Sequence, residues 1–388
     1  MKDSNILLVT IDSLRPDQII NSNISSTPCI DSLGDTGCIF TQAVSNGPNT
    51  TASFPSILTG SHSLSYGPYG VLDVDESPFL ARILKKESYS TVGYHSNPFL
   101  GNEQNYHVGF QYFNDLMDGS SSVTTVKDRI ERRLTPDSFV YSLMRRAWHM
   151  FSMTTGTKSY ARGDSITNGA IQWLESHQSS NPFFMWLHYM DVHYPFDPPK
   201  QIFNELPFER PSNRRVINLN GMMQERPEEL TSEDVQELKR LYFAEARFAD
   251  KQIGRLFDKV GELREPENII IAVTADHGEE LFDHGDLDHR PKMYAELLHI
   301  PMIYSPPLSS ELIIERIMQL TSHLDLAPTI ADFLQMECPD QWRGHSLKSI
   351  LNGESRSTSR NNCIAELCHT SGLGGSVQPE KYVGAVLT

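Results

Sequence analysis

The strongest constraint on this chain is a set of four short apolar runs, at residues 6–11, 183–189, 269–274 and 301–304, rich in β-branched and aromatic side chains and bounded by polar turns. Runs of this length that do not alternate polar with apolar suit strands buried on both faces, as in a parallel sheet covered by helices. Helical periodicity lies between them. Across residues 231–260, Val235, Leu238, Leu241, Tyr242, Ala246, Ala249, Ile253, Leu256, Phe257 and Val260 recur at three- and four-residue steps, and Ile166, Ala170, Ile171 and Leu174 form a second stripe across 164–178. The pattern predicts an α/β fold with a largely parallel central sheet flanked by helices. Residues 195–227, rich in Pro, Arg and Asn, read as a long loop, and 119–162 as an insertion carrying some helix at 137–153, with no assignable role. Pro339, Gly344 and Gly353 mark the edge of a catalytic domain spanning 1–335. The remainder, 336–388, reads as a small C-terminal α+β portion; its last apolar run ends against the terminus and leaves its completeness open.

With 388 residues and 39% hydrophobic content, the chain can bury a large core. A net charge of −16, spread without an acidic block, repels polyanions, so neither nucleic acid nor an anionic membrane is expected as a partner. A local cationic centre can still draw an anionic ester into a cleft. No apolar stretch reaches the roughly 18 residues of a membrane-spanning helix, and residues 6–11 are too short for a signal-peptide core. Five cysteines without a CxxC pair read as reduced thiols, which predicts a cytoplasmic protein.

Two of the strands end in acids. Ile6-Leu7-Leu8-Val9-Thr10-Ile11 runs into Asp12, and open α/β sheets hold ligands at such carboxyl ends, although a strand-terminal Asp is more often a cap. After residues 269–274 comes Ala275-Asp276-His277-Gly278-Glu279-Glu280, where an oxygen and an imidazole nitrogen can reach one divalent cation. Its continuation, Asp283-His284-Gly285-Asp286-Leu287-Asp288-His289, is hard to explain structurally. In Asn46-Gly47-Pro48-Asn49-Thr50-Thr51-Ala52-Ser53-Phe54-Pro55, a threonine opens a short helix, placed either as an ordinary N-cap or as a hydroxyl beside an anion site. Finally, His188-Tyr189-Met190-Asp191-Val192-His193-Tyr194-Pro195 supplies a histidine able to protonate a leaving group or bind a second metal, with Asp191 to orient it.

The order of these motifs, together with Tyr294-Ala295-Glu296-Leu297-Leu298-His299-Ile300-Pro301 and Asp325-Leu326-Ala327-Pro328-Thr329, resembles the sulfatase-like family of the alkaline phosphatase superfamily over residues 5–350. The resemblance implies an alkaline-phosphatase-like fold, with Asp12, Asp276 and His277 as metal ligands. It implies Thr50, ten residues before Gly60, as nucleophile and further ligand. His193 matches a histidine that contacts the transferred group or leaving oxygen. His289, or else Lys292, matches the family's basic residue near the substrate. Asp191, His188 and His284 complete the candidates for a second metal or for substrate contacts. The implied cofactor is a divalent ion, one or two of Mn, Zn, Mg or Ca, and the implied partner a small anionic ester; oligomeric state is not implied.

Two departures bear on the chemistry. Authentic sulfatases resemble Cys/Ser-x-Pro-x-Arg at the nucleophile, whose first residue becomes formylglycine; here the window is Thr50-Thr51-Ala52-Ser53-Phe54. Where many sulfatases have Asp-Asp, this chain has Asp12-Ser13, and Asp276-His277 replaces Asp-Asn. The ligand set therefore resembles that of phosphodiesterases and phosphonate hydrolases, and a phosphoester is expected over a sulfate ester. The alternatives are a phosphoethanolamine or phosphoglycerol transferase, whose usual relatives carry membrane helices, and a binding module that keeps the fold without the chemistry.

Overall fold

The apolar runs form the middle of one sheet. The computed structural model describes residues 4–17, 24–65, 70–119, 160–177, 181–263, 268–289, 292–305, 307, 315–355, 360–368 and 382–388. Its strands are β1 (Asn5–Ile11), β2 (Cys38–Val44), β3 (Ser90–His95), β4 (Tyr112–Asp115), β5 (Phe183–Tyr189), β6 (Ile269–Ala275), β7 (Met302–Ser305) and β8 (Glu315–Ser322), arranged β4-β3-β5-β1-β6-β7-β2-β8. Strand β7 is antiparallel to both neighbours, and every other pair is parallel. Strands β5 and β6 are buried at every residue, as continuous apolar runs require.

Helices α1 (Pro28–Thr36), α2 (Thr50–Thr59), α3 (Leu80–Lys86), α4 (Gly163–Ser176), α5 (Asn213–Glu225), α6 (Ser232–Leu263), α7 (Ala295–Leu298) and α8 (Leu326–Phe333) accompany the sheet. The long helix α6 buries Leu238, Leu241, Tyr242, Ile253 and Leu256 on its inner face. It also secures the first strand end, because Tyr242 Oη donates to Ser13 O at 2.8 Å and accepts Arg15 N at 2.9 Å.

The stretch expected to be a loop, 195–227, holds a 3-10 turn at Lys200–Glu205 and the thirteen-residue helix α5. Only Val216, Leu219, Asn220 and Met223 of α5 face inward, one narrow stripe among arginines and asparagines, which hid the helical period. Asn220 compensates for its polarity by bonding Phe196 N and O at 2.9 and 2.8 Å, tying α5 to the segment after β5. The helix expected at 137–153 and most of the 119–162 insertion lie outside the described residues.

Beyond residue 335, Leu347, Ile350 and Leu351 join the same core as the sheet, and Trp342 packs on Gly60. Gly60 has φ +56° at the C-terminus of α2, a left-handed conformation suited to glycine. Strands β9 (Cys363–Cys368) and β10 (Tyr382–Leu387) form a separate antiparallel pair, joined to the loop before α2 by Glu366 N donating to Asn46 O at 2.8 Å. Among the described residues, no helix is long and apolar enough to cross a membrane.

Candidate active site

Sheet register brings the two acids together. Ile11 pairs with Ala275, so Asp12 and Asp276 leave adjacent parallel strands at the same level, and both are fully buried. The chain turns immediately after Asp12 at Ser13, whose φ of 59° costs a non-glycine residue about 1–3 kcal/mol. That turn is held by Tyr242 and delivers two hydrogen bonds: Ser13 N donates to Asp276 Oδ1 at 3.2 Å and Ser13 Oγ to Asp12 Oδ1 at 2.9 Å. Ser13, directly after the strand-end acid, is thus a clamp on both carboxylates.

Thr50 is the first residue of α2, and Asn49 takes the cap, its Oδ1 accepting Ala52 N at 3.1 Å. The Thr50 hydroxyl is therefore not spent on the helix. It lies 3.4 Å from Asp12 Oδ2 and 3.5 Å from His277 Nε2, whereas Thr51 bonds Asn49 Oδ1 at 2.8 Å. Geometry separates the two threonines that sequence left side by side.

His277 completes the group. Its Nδ1 lies 2.7 Å from Gly278 O; a carbonyl only accepts, so Nδ1 carries the hydrogen and Nε2 presents a lone pair. That nitrogen is 3.7 Å from Asp12 Oδ1 and 3.6 Å from Asp276 Oδ2. Burial, aided by the neighbouring His289, pushes the ring's pKa down to about 3 against the pull of Asp12, so it stays neutral. A Cβ on Gly278 would lie 1.9 Å from Glu296 O, so the approach of this turn to α7 admits only glycine.

The two carboxyls divide in character. Burial, then the charge of Asp12, drives Asp276 well above the usual carboxylate range. Asp12 is held well below it: burial works against its charge, and His193, His188 and His277 more than offset that. Among the described residues Asp276 Oδ2 is buried without a hydrogen-bond partner, and one ligand atom each from Asp12, Asp276 and His277 lie within 4.8 Å of one another. Two oxygens and a neutral imidazole suit a hard or borderline divalent cation, and the residues fit that ion.

Of the remaining candidates, His188 joins the group, with Nε2 3.4 Å from Asp12 Oδ2 and Nδ1 3.0 Å from Thr10 Oγ1. His193 and His289 form a row leading to His277, with ring centroids 5.0 Å and 4.5 Å apart in turn. Burial lowers the pKa of His193. For His289 burial is overridden by Asp288 and Glu279, and the pKa is raised well above its ordinary value. Asp191 lies instead at the start of α4, its Oδ1 accepting Gly163 N at 3.1 Å. His284 pairs with Glu296 at 3.2 Å and stacks on Tyr294, and Lys292 bridges Glu280 and Asp286 at 2.8 Å each.

Asn97, two residues past β3, is the contact that sequence reasoning missed. Its Nδ2 donates to Asp12 Oδ2 at 3.0 Å while its Oδ1 accepts Phe99 N at 2.9 Å. Its only sequence signal is a polar residue just beyond a strand end.

An open, mainly parallel sheet with an acid–hydroxyl–imidazole group at its strand ends defines an α/β protein whose chemistry sits where such sheets bind ligands. The family model described as Sulfatase matches residues 4–336, and the chain belongs to the sulfatase family of hydrolases. It is 26% identical to an arylsulfatase of Clostridium perfringens over 92% of this chain and 80% of that protein. It is 24% identical to human iduronate 2-sulfatase over 78% of this chain, spanning 60% of that relative. The fold is shared with the phosphonate monoester hydrolase SpPMH from Silicibacter pomeroyi (TM-score 0.73, 21% identity, 99% of this chain, 85% of that one). It is also shared with BT4656 in complex with its substrate D-glucosamine-2-N,6-O-disulfate (TM-score 0.71, 20% identity, 96% and 85%).

Proposed function

We propose that this chain hydrolyses a small anionic ester of phosphoric or sulfuric type with Thr50 as the nucleophile, a phosphoester in preference to a sulfate ester. The observation that carries the reading is the Thr50 hydroxyl, released from capping by Asn49 and facing Asp12 and His277. Asp12, Asp276 and His277 would hold a divalent cation, which supplies Lewis acidity and neutralises charge on the transferred group.

Thr50 Oγ1 forms the bond to phosphorus or sulfur as the bond to the leaving oxygen breaks. With His277 Nε2 given to the cation, Asp12 Oδ2 at 3.4 Å is the acceptor within reach of its proton. The row of His193 and His289 offers the leaving oxygen a proton. Water then cleaves the threonine ester and restores the hydroxyl. Preference for phosphorus rests on the nucleophile window: threonine cannot become formylglycine, and the family's arginine is replaced by Phe54, whose buried ring meets those of His188, Trp186 and Tyr106 at 4.9, 5.6 and 6.0 Å. No guanidinium can stand there.

The test is a panel of aryl sulfate, phosphate monoester, phosphodiester and phosphonate monoester, each assayed with Mn, Zn, Mg and Ca. Turnover of the phosphorus esters ahead of aryl sulfate, lost in Thr50→Ala, is expected; sulfate turnover alone, or full activity in Thr50→Ala, sinks the reading.

A further inference from the structure

We propose a second divalent-cation site, made by Glu279, Asp288 and His289, adjoining the Asp12–Asp276–His277 group. The proposal deepens the reading above and rests on it for its catalytic meaning, but the site itself stands on its own geometry.

The three residues each offer a ligand atom, all within 4.8 Å of one another. His289 Nδ1 lies 3.0 Å from Asp288 Oδ1 and 3.5 Å from Glu279 Oε1. Around a divalent ion with bonds of about 2.0–2.2 Å, neighbouring ligand atoms stand roughly 3–3.6 Å apart, and both separations fall in that range. Hydrogen bonding accounts for Asp288, whose Oδ1 accepts His289 N at 2.8 Å, and leaves the rest of the arrangement unexplained. Glu279 is fully buried, yet among the described residues neither of its carboxylate oxygens has a hydrogen-bond partner, and His289 Nδ1, though close to two acids, meets neither in hydrogen-bond geometry. One imidazolium between two acids balances only one of them, whereas a divalent cation among the three ligand atoms balances both and takes the nitrogen lone pair as well.

Access and position agree. The Asp288 and His289 side chains are 29% and 19% exposed, which leaves a way in from solvent. The His289 ring centroid is 4.5 Å from that of His277, so the site borders the first cluster. Binding exchanges the Nδ1 proton of His289 for the ion and leaves Nε2–H in place as a hydrogen-bond donor, so in the filled site the ion takes over from the imidazolium the task of offsetting charge on the leaving oxygen. A second Lewis acid there supplies charge neutralisation for a leaving oxygen.

The experiment uses the full chain, stripped of metal with a chelator and titrated with Mn²⁺ or Zn²⁺ alone, with stoichiometry read by calorimetry and elemental analysis. The expected result is about two ions per chain, falling to about one in Glu279→Gln and in Asp288→Asn. The first replacement keeps the shape of the buried side chain, and the second lies in the partly exposed half, so loss of fold in one variant leaves the other informative. One ion in the unaltered chain, lost in Asp276→Asn and kept in Glu279→Gln, overturns the second site while the first centre stands. Two ions that survive both Glu279→Gln and Asp288→Asn also overturn it. The Thr50 assignment is judged separately by turnover in Thr50→Ala, so either idea can fail alone.

Discussion

Two acid–imidazole clusters lie side by side after β6, built from the same residue types and held in opposite ways. In the first, Asp12 receives Ser13 Oγ and Asn97 Nδ2, Asp276 receives Ser13 N and His277 N, and His277 is fixed through Gly278 O. In the second, Glu279 has no hydrogen bond to either oxygen among the described residues. The first cluster is aimed by its surroundings before any ion or substrate arrives; in the second, Asp288 accepts His289 N at 2.8 Å and Glu279 is held by its charge pairing with His289 alone. Preorganisation of that kind is what a catalytic centre needs, because donors already in place require no rearrangement during reaction.

The largest effect that can break this comparison is removal of the proposed nucleophile. Thr50→Ala should lower turnover by on the order of 10⁴-fold or more, measured under saturating substrate, while metal stoichiometry is retained. Turnover near that of the unaltered chain would move the nucleophile elsewhere. Chelation comes next. If free ion stands at about a hundred times its Kd, binding contributes about 2.7 kcal/mol, so stripping the ion should lower Tm measurably and abolish turnover, with both restored on adding it back. A Tm indifferent to chelator would mean that the first cluster holds no ion. Smaller again is Asn97→Ala, which removes one tether of Asp12 without touching a proposed ligand. It should weaken metal affinity or activity by about 10–100-fold, and an unchanged affinity would show that Ser13 and His188 alone aim the carboxylate.

The same contrast explains what could be read in advance. Strands β1, β5 and β6 were legible because burial on both faces forces uninterrupted apolar runs, and two of them end in the acids of the centre. Strand β2 interrupts its run with Thr41 and Gln42, and β8 at the sheet edge carries Arg316, Gln319 and exposed Met318; half-buried edges impose no such composition. Helix α5 reads as loop in the sequence because four inward residues suffice to seat it. Within the site, Asp12, Asp276 and His277 were legible from strand ends. Thr50 could be told from Thr51 only by resemblance, and the structure adds the physical reason in the Asn49 cap. Asn97 reaches Asp12 from just beyond β3 across a sequence separation of 85 residues, a relation that no local pattern encodes.

The smallest predicted effect isolates burial from convergence. Asp250 on α6 is a buried acid with its needs met by one helix end: Oδ1 accepts Ile30 N at 2.9 Å and Oδ2 accepts Cys29 N at 3.1 Å at the start of α1. Burial still pushes its pKa up to about 6 from 3.8, against those two bonds. Because the folded value is the higher one, the folded chain binds more protons between those limits. The Asp250 contribution to stability is therefore full below about pH 3.8 and is lost as pH rises through about 6. Relative to Asp250→Asn, the unaltered chain should lose about 1–3 kcal/mol of stability between pH 4 and pH 7, read from denaturant midpoints at each pH. A difference independent of pH would show that the α1 N-terminus fully compensates one buried carboxylate. Burial alone would then not be what makes the Glu279 cluster costly, and the burden of explaining that cluster would fall on the crowding of two acids beside one imidazole.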